Sequence, residues 1–305
     1  MSYIQACNKN SMIMDCFCFV ILHYQTKTDT IECVNSILTN IANPGVRLIV
    51  VDNGSPNGSG AELKELFKEN DRVEVLLSHE NLGYTGGNNI GFQHAKHKYK
   101  ADFVALINND TIIRQHEFVD AIIDKYKSLP FHILGPDIVT LSGNHQNPVF
   151  NKSSSLKAVQ NYIKHYRKVL FLNYLGLDEI LEKFKKFFSP ESRIHLENIR
   201  KEIDHSSEQE GVTLHGSAIV FSKLYINKYE GLYPGPFMYG EEAILDYFVK
   251  KDKLRTVYWP IVRILHKDDS STNSVYRKAL KKRRFYLKNS LRALRVLEKL
   301  FNEGE

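Results

Sequence analysis

Four short polar segments each follow an apolar run of strand length in the first 110 residues. They are His23-Tyr24-Gln25, Asp52-Asn53-Gly54-Ser55, residues 81–89 and Asn108-Asn109-Asp110. Any one of them reads most simply as a turn, because Asn, Asp and Gly are the commonest turn residues. In parallel α/β sheets, however, ligands bind beyond the carboxyl ends of the strands. Four such segments at one sheet edge therefore predict a binding site for a polar ligand.

Asp110 is the carboxylate best placed to hold a divalent cation against a diphosphate. Mg²⁺ is commonly bound by one or two carboxylates, with substrate phosphate and water completing its octahedron. The preceding Asn108 and Asn109 are neutral and weaker ligands. His266 directly follows the apolar run 256–265 and is a candidate partner, although a lone histidine is more often structural.

The adjacent carboxylates Glu241 and Glu242 follow a Gly/Pro-rich turn and an aromatic cluster, at the expected start of a helix. Acidic side chains stabilise a helix N-terminus electrostatically, which is one explanation for the pair. The other explanation is a general base, which must lie within hydrogen-bond reach of the proton it removes. The residues alone leave both explanations open.

The Gly- and Asn-rich run 86–89 is predicted to open a helix. Glycine lets the backbone approach a ligand closely, and a helix N-terminus favours anions. The run has neither the P-loop spacing nor the dinucleotide fingerprint, so neither an ATPase nor an NAD enzyme is indicated. Asp52, at the end of its strand, could instead hold a base or a ribose hydroxyl.

Strands and helices alternate through this N-terminal region. Apolar runs predict strands at 16–22, 47–51, 73–77 and 103–108, and helical spacing predicts helices at 28–41, 60–69 and 89–98. This alternation predicts an α/β fold with a mostly parallel central sheet flanked by helices. Residues 150–205 have helical spacing and predict an insertion. A strand at 212–221, a helix at 241–251 and a strand at 256–265 then complete a domain spanning 1–275.

The formal net charge of +6 is concentrated in one segment. Residues 276–301 contain ten Lys or Arg and one acid, whereas residues 1–275 contain 31 bases and 32 acids. Leucines at spacings of three and four predict a basic helix within the C-terminal segment 276–305. No apolar stretch approaches the roughly 18 to 20 residues that span a bilayer, so we expect a cytoplasmic protein.

Seven segments in this order resemble the inverting glycosyltransferases of family 2, which have the GT-A fold. The segments are FVILHYQTKTDTIECVNSI, VVDNGSPNGS, ENLGYTGGNNIGF, LINNDT, HGSAIVFSK, PFMYGEEAIL and WPIVRILH. The chain looks most like the bacterial branch that transfers rhamnose and other sugars in O-antigen and capsule assembly. The resemblance covers about residues 16–115 and 211–290.

This resemblance implies a role for each matching position. Asp52 would hold a uracil or thymine base or its ribose, and Asn108-Asn109-Asp110 stands in the place of the D-x-D motif. Asp110 and His266 would hold Mg²⁺ or Mn²⁺ with the diphosphate, and in the Glu241-Glu242 pair the second acid would be the catalytic base. The implied nucleotide-sugar ligands are His23, Tyr24, Asp52, Asn53, Asn81, Gly83, Gly86, Asn88 and Asn109.

The implied activity is transfer of a sugar from a UDP- or dTDP-sugar to a hydroxyl of a saccharide acceptor. A nucleotidyltransferase that makes sugar nucleotides is a weaker alternative, because no glycine follows the first strand. A non-catalytic polyanion binder is another alternative, but the near-neutral body has no recognisable nucleic-acid module. The basic helix is either a solvated packed helix or a contact with anionic lipid at the inner face of the membrane. A lipid-linked acceptor would explain a contact of this helix with the membrane.

Overall fold

The computed structural model describes residues 15–149, 155–177, 203–267 and 279–304. The described residues form one nine-stranded mixed sheet with the order β3-β2-β1-β4-β8-β6-β9-β5, and β7 pairs with β9. The strands are β1 Phe17–His23, β2 Val46–Asp52, β3 Val73–Leu77, β4 Phe103–Asn108, β5 Thr111–Ile112, β6 Ile133–Thr140, β7 Gln209–Glu210, β8 Ala218–Ser222 and β9 Thr256–His266.

The helices lie between these strands and after them. They are α1 Lys27–Asn40, α2 Ser59–Leu66, α3 Gly83–His97, α4 Phe118–Ser128, α5 Leu156–Tyr174, α6 Lys223–Ile226, α7 Glu241–Lys251 and α8 Ala279–Glu303. The helix predicted for 28–41 and the strands predicted at 73–77 and 103–108 are confirmed within one residue of their ends. The helix α4, the strand β6 and the two-residue strands β5 and β7 were not predicted.

The first four strands are parallel to one another, as the alternation predicted. The sheet changes direction at β8, which pairs antiparallel with both β4 and β6, while β6 and β9 are parallel again. Parallel pairings contain most of the paired residues, so the expected mostly parallel sheet is confirmed. Because β1 to β4 end at the same edge, their following residues meet there.

The strand β1 has apolar residues on both faces and is buried on both. Phe17, Phe19 and Ile21 pack into the core beneath α1 and α4, whereas Cys18 and Val20 pack on the opposite face against α3. A continuous apolar run is what burial on two faces requires. The expected arrangement of a sheet with helices on both faces is therefore confirmed.

The helix α3 begins at Gly83, so the loop predicted for residues 81–89 is wrong beyond Leu82. A Cβ on Gly87 would lie 2.5 Å from Leu22 Cδ1, and one on Gly91 would lie 2.3 Å from Val20 Cγ1. These two glycines permit close packing of a helix on β1. The Gly-rich run thus has a packing role inside α3.

A third apolar cluster joins α5, α7 and α8. Leu287, Leu291, Leu297 and Leu300 of α8 are buried, so the predicted leucine face packs against the body, whereas Leu280 is exposed. The helix α5 confirms helical structure for part of the predicted insertion, and residues 150–154 and 178–202 of that prediction lie outside the described residues. No helix in the described part of the chain has the length and hydropathy needed to cross a bilayer.

Candidate active site

A cleft of about 430 Å³ opens at the edge where the parallel strands end, and we call it the main cleft. Nine of the thirteen predicted site residues line it. These are Tyr24, Asn53, Asn81, Gly83, Asn109, Asp110, Glu241, Glu242 and His266. The fold therefore brings predicted site residues of the four N-terminal segments together with the two C-terminal segments that contain Glu241 and His266.

Asn53 fixes the loop that precedes α3. Its side-chain amide donates to Asn81 Oδ1 at 3.0 Å and to the Gly83 carbonyl at 2.9 Å, and its Oδ1 accepts from the Leu82 N–H at 2.9 Å. Gly83 has a φ of +74°, and a Cβ there would lie 2.0 Å from the Phe237 carbonyl oxygen. Glycine is required here by both backbone conformation and space.

Asp110 and His266 form a buried pair on one side of the main cleft. The distance from His266 Nε2 to Asp110 Oδ1 is 3.2 Å, and each residue is 4% exposed. The short pairing of β5 with β9 places them, since Thr111 lies opposite His266. On its other side, His266 Nδ1 is 2.7 Å from Gln146 Oε1, which fixes the ring.

This pair fits a cation that is shared with a phosphate ligand. Among the residues that the structure describes, no three His, Cys, Asp or Glu side chains form a metal-binding group. Mg²⁺ is nevertheless often bound by only one or two carboxylates, and substrate phosphate and water supply its remaining ligands. The donor set of Asp110 and His266 is compatible with that arrangement.

Glu241 and Glu242 lie in the first turn of α7 and line the same cleft. Tyr239 and Gly240, just before them, both have a positive φ, and this sharp turn directs the start of α7 into the cleft. Positive φ at a residue other than glycine is costly, and such strain concentrates at functional sites. Glu242 Oε1 accepts from the Gly216 N–H at 3.2 Å.

The two carboxyl groups differ in their environments. Burial, with the neighbouring charge of Glu242, raises the pKa of the Glu241 carboxyl to about 8. Glu241 Oε2 is buried and has no hydrogen-bond partner among the described residues. Burial therefore favours the neutral form of the Glu241 carboxyl near pH 7.

Four predicted residues lie outside the lining of the main cleft. His23 is fully buried, with its two ring nitrogens each 2.7 Å from a hydroxyl, Thr30 Oγ1 and Ser59 Oγ. Burial lowers the pKa of this imidazole. The structure places His23 behind β1, where it joins α1 to α2, because the side chain at the strand end turns toward the helices and away from the cleft.

Asp52, Gly86 and Asn88 also lie behind the cleft surface. Asp52 is 6% exposed, and its carboxylate accepts from the Ser55 N–H at 3.3 Å. Gly86 and Asn88 are internal residues of α3, and the Asn88 amide donates to the Tyr84 carbonyl at 3.0 Å. The early start of α3 is the physical reason that the last two residues do not reach the cleft.

The cleft also has walls for which the sequence predicted no role. Tyr84 donates its hydroxyl to the Gly216 carbonyl, and burial together with the Glu241 and Glu242 carboxylates raises its pKa well above the usual value. The other such residues are His215, Gly216, Ser217, Phe237, Met238, Tyr239 and Phe285. All but Phe285 belong to or adjoin the quoted motifs, so their positions carried a signal. Phe285 comes from α8 and carried none.

Residues 18–186 match the family model described as Glycosyl transferase family 2. This chain belongs to glycosyl transferase family 2. The matched range includes residues 116–186, which the motif resemblance did not cover, and ends before residues 211–290, which it did cover. Family membership confirms the expected α/β fold of the GT-A type and the expected enzyme class. Family membership therefore favours the glycosyltransferase over the two alternatives, a nucleotidyltransferase and a polyanion binder.

Two curated family relatives are similar to this chain. The low-salt glycan biosynthesis hexosyltransferase Agl10 of Haloferax volcanii is 23% identical over 293 residues, which cover 95% of this chain and 80% of Agl10. The glycosyltransferase GlyG of Streptococcus pneumoniae serotype 4 is 28% identical over 93 residues, covering 30% of this chain and 29% of GlyG.

Solved structures of S. aureus TarS are also similar to part of this glycosyltransferase. TarS 1–349 with UDP-GlcNAc superposes with a TM-score of 0.37 at 18% identity, covering 45% of this chain and 38% of that chain. The same fragment with UDP has the same TM-score and identity and covers 39% of that chain.

Proposed function

We propose that this glycosyltransferase moves a sugar, with inversion, from a UDP- or dTDP-sugar to a hydroxyl of a lipid-linked saccharide in surface polysaccharide synthesis. The observation that carries the proposal is the composition of the main cleft. The cleft contains the Asp110–His266 pair together with the carboxyl groups of Glu241 and Glu242. A diphosphate leaving group and a nucleophile need these two kinds of residue on different sides.

Asp110 and His266 would hold Mg²⁺ or Mn²⁺ against the diphosphate. A divalent cation there neutralises the negative charge that develops on the departing nucleoside diphosphate. The nucleoside would lie along Tyr24, Asn53 and Asn81, which line the same cleft. Asp52 supports this end from behind, through the turn that contains Ser55.

Glu242 would act as the general base. As the acceptor oxygen bonds to the anomeric carbon, its proton passes to the Glu242 carboxylate. The bond from the anomeric carbon to the diphosphate oxygen breaks, and its electron pair leaves with the nucleoside diphosphate. Attack from the face opposite the leaving group inverts the anomeric centre. The Gly216 N–H, 3.2 Å from Glu242 Oε1, orients the carboxylate for this step.

The donor sugar is proposed to be a hexose or a 6-deoxyhexose such as rhamnose. The similarity to Agl10, a hexosyltransferase of low-salt glycan biosynthesis, supports a hexose. The order of the seven motifs supports the rhamnosyltransferase branch and its O-antigen or capsule products. Both sugars present a similar pyranose ring to the cleft, and direct measurement distinguishes them.

A thermal-shift screen of UDP-, dTDP- and GDP-sugars, with Mg²⁺ or Mn²⁺ and with chelator, tests this function. Binding to the folded state raises the unfolding temperature in proportion to the logarithm of ligand concentration. We expect UDP- or dTDP-sugars to stabilise the protein with metal and GDP-sugars not to do so. Absence of a shift with every nucleotide sugar would contradict the proposal.

A surface on α5 and α8 supports contact with an anionic membrane. Of twelve exposed large apolar side chains in the described residues, six lie on this helix pair or just after α5, and we call them the helix-pair patch. They are Phe171, Tyr174, Leu175, Leu177, Leu280 and Tyr286. Arg284 joins the helices by donating to Asn173 Oδ1 at 2.9 Å and by lying 4.2 Å from the Tyr174 ring centroid.

Charge in this helix pair favours anionic lipid over a neutral surface. Within 155–177 and 279–304 the acids are Glu298 and Glu303, both near the end of α8 and away from the patch. Basic residues near an anionic leaflet contribute roughly 1 kcal/mol each, and the apolar side chains add burial in the interface. A lipid-linked acceptor at that surface would be delivered beside the main cleft.

Flotation with vesicles of phosphatidylcholine, with and without phosphatidylglycerol, tests the membrane contact. We expect the protein to float with the anionic vesicles. A double variant that combines Phe171→Ser with Leu175→Ser should lose at least half of that binding. Leu141→Ser is the matched control, because Leu141 is 70% exposed but lies outside the helix-pair patch. Equal flotation with both vesicle types, or an equal loss in the control, would refute the contact.

A further inference from the structure

A second cavity, of about 290 Å³, lies between α5, the start of α7 and α8. We call it the tyrosine cavity after Tyr162, Tyr166, Tyr239 and Tyr286, which line it. Tyr239, Glu241 and Glu242 line both this cavity and the main cleft. The proposed general base therefore stands in a wall common to two spaces.

Two buried polar atoms in the lining of the tyrosine cavity have no hydrogen-bond partner among the described residues. They are Ser290 Oγ and Glu241 Oε2. Ser290 is 8% exposed, so its hydroxyl cannot be satisfied by bulk water. A buried polar group without a partner is unfavourable, so each unpaired atom at this cavity calls for a partner such as a ligand hydroxyl.

The tyrosines provide aromatic faces with hydroxyl groups at their edges. The Tyr239 and Tyr286 ring centroids are 4.8 Å apart, and the Tyr166 and Tyr286 hydroxyls are 3.2 Å apart. Such side chains combine a large apolar surface with a polar group. A sugar ring has the matching chemistry, because its C–H face is apolar and its rim is composed of hydroxyls.

The charges in the tyrosine cavity exclude an anionic ligand as its occupant. Among the described residues, its lining contains two carboxyl groups and no Lys, Arg or His. A phosphate or a uronic acid would face these acids without a compensating cation. Ligand pockets usually measure roughly 300 to 1,000 Å³, so a cavity at the lower limit fits one sugar unit.

We propose that the tyrosine cavity binds the terminal neutral sugar of the acceptor and presents its hydroxyl to Glu242. This inference rests on the proposed function, because it places the acceptor in the space that shares Glu242 with the main cleft. Any diphosphate of a lipid-linked acceptor would remain outside the cavity. The basic residues of α5 and α8 are the groups available to it there.

Binding of methyl glycosides of glucose, galactose, mannose, rhamnose and N-acetylglucosamine, with methyl glucuronide as the anionic probe, tests the inference. Saturation-transfer NMR on the full chain reports the affinities. We expect at least one neutral glycoside to bind saturably and the glucuronide to bind more weakly. Failure of every neutral glycoside to bind, or a preference for the glucuronide, would overturn the inference.

Substitutions at Ser290 locate the binding. Ser290→Leu fills the cavity and should weaken glycoside binding at least tenfold, and Ser290→Ala, which removes only the hydroxyl, should weaken it about threefold. The matched controls are Ser128→Leu and Ser128→Ala, at an exposed helical serine away from both cavities. If Ser290→Leu does not fold, Ser290→Ala decides, and unchanged glycoside affinity in it would overturn the inference.

The nucleotide-sugar screen separates this inference from the proposed function. Nucleotide sugars that bind while no neutral glycoside does would remove the acceptor assignment alone. A protein that binds glycosides in a Ser290-dependent manner but binds no nucleotide sugar would keep the saccharide site and remove the proposed transfer.

Discussion

The main cleft and the tyrosine cavity share the wall formed by Glu241 and Glu242, but the rest of each is built differently. The main cleft includes residues at or directly after strand ends, such as Tyr24, Asn53 and Asp110, which the register of the sheet positions. The tyrosine cavity consists of side chains on three helices that are distant in sequence. A sheet edge positions residues through local chain order, whereas helix packing positions them only through tertiary contacts.

This difference leads to an expectation about tolerance to change. Residues of the main cleft should be sensitive to single substitutions, because each has a defined partner in the sheet edge or the loop. Residues of the tyrosine cavity should be more tolerant, because it is held by an apolar cluster of many small contributions. Substitutions on the shared wall should have the largest effect of all.

Glu242→Gln is expected to reduce transfer by about 10²- to 10⁴-fold, since the amide cannot accept the acceptor proton. Nucleotide-sugar binding should change little, because the amide oxygen can still accept from the Gly216 N–H. Steady-state kinetics and calorimetric titration with the donor measure these two effects. Glu241→Gln is the matched control and should lose less activity. A greater loss in Glu241→Gln would move the general base to that residue.

Asp110→Asn should have the next largest effect, because it changes the proposed metal-binding pair of the same cleft. Removing the carboxylate leaves His266 as the remaining protein ligand of the proposed pair, so the dependence of donor binding on Mg²⁺ or Mn²⁺ should disappear. We expect donor affinity in the presence of metal to fall at least tenfold, measured by calorimetry with metal and with chelator. Asp124→Asn, an exposed change on α4, should bind as the wild type does. A metal dependence retained in Asp110→Asn would contradict the assignment.

The same contrast between sheet and helices explains which residues of this site could be predicted from the sequence. Asn53, Asn81 and Asp110 were predictable because each follows a recognisable buried strand, and strand ends meet at one edge. His23 occupies the same kind of position, but its side chain points to Thr30 and Ser59. Alternation along a strand can assign faces only when the two faces differ, and β1 is buried on both.

The helical part of the molecule was less predictable for a different reason. The leucine spacing of α8 correctly predicted a packed apolar face, but it contained no information about which helices would cover it. Phe285 reaches the main cleft, and Tyr166 meets Tyr286, only because α5 and α8 pack against each other. Similarly, the Gly- and Asn-rich sequence around Gly87 predicted a loop, although the role of Gly87 is to permit close packing of α3 on β1.

Gly83→Ala tests the sensitivity of the sheet-edge loop. An added Cβ would lie 2.0 Å from the Phe237 carbonyl oxygen at a φ of +74°, so we expect a loss of about 2–4 kcal/mol in the free energy of unfolding. Gly143→Ala is the matched control, with a φ of +81° and nothing within 4 Å of an added Cβ. Its loss should be about 1 kcal/mol. Urea unfolding measures both, and equal losses would show that the contact with Phe237 is unimportant.

The smallest expected effect concerns the pH dependence of stability through Glu241. Burial raises the pKa of this carboxyl from an ordinary 4.5 to about 8 in the folded protein, so the folded state binds its proton more tightly than the unfolded state does. Its contribution to stability is fully present below pH 4.5 and is lost as the pH rises through 8. The unfolding temperature of the wild type should therefore fall by a few °C more between pH 5 and pH 9 than that of Glu241→Gln. Glu117→Gln, at an exposed position, should follow the wild type. If the curves of the wild type and Glu241→Gln are parallel, the pKa of Glu241 is not raised in the folded protein.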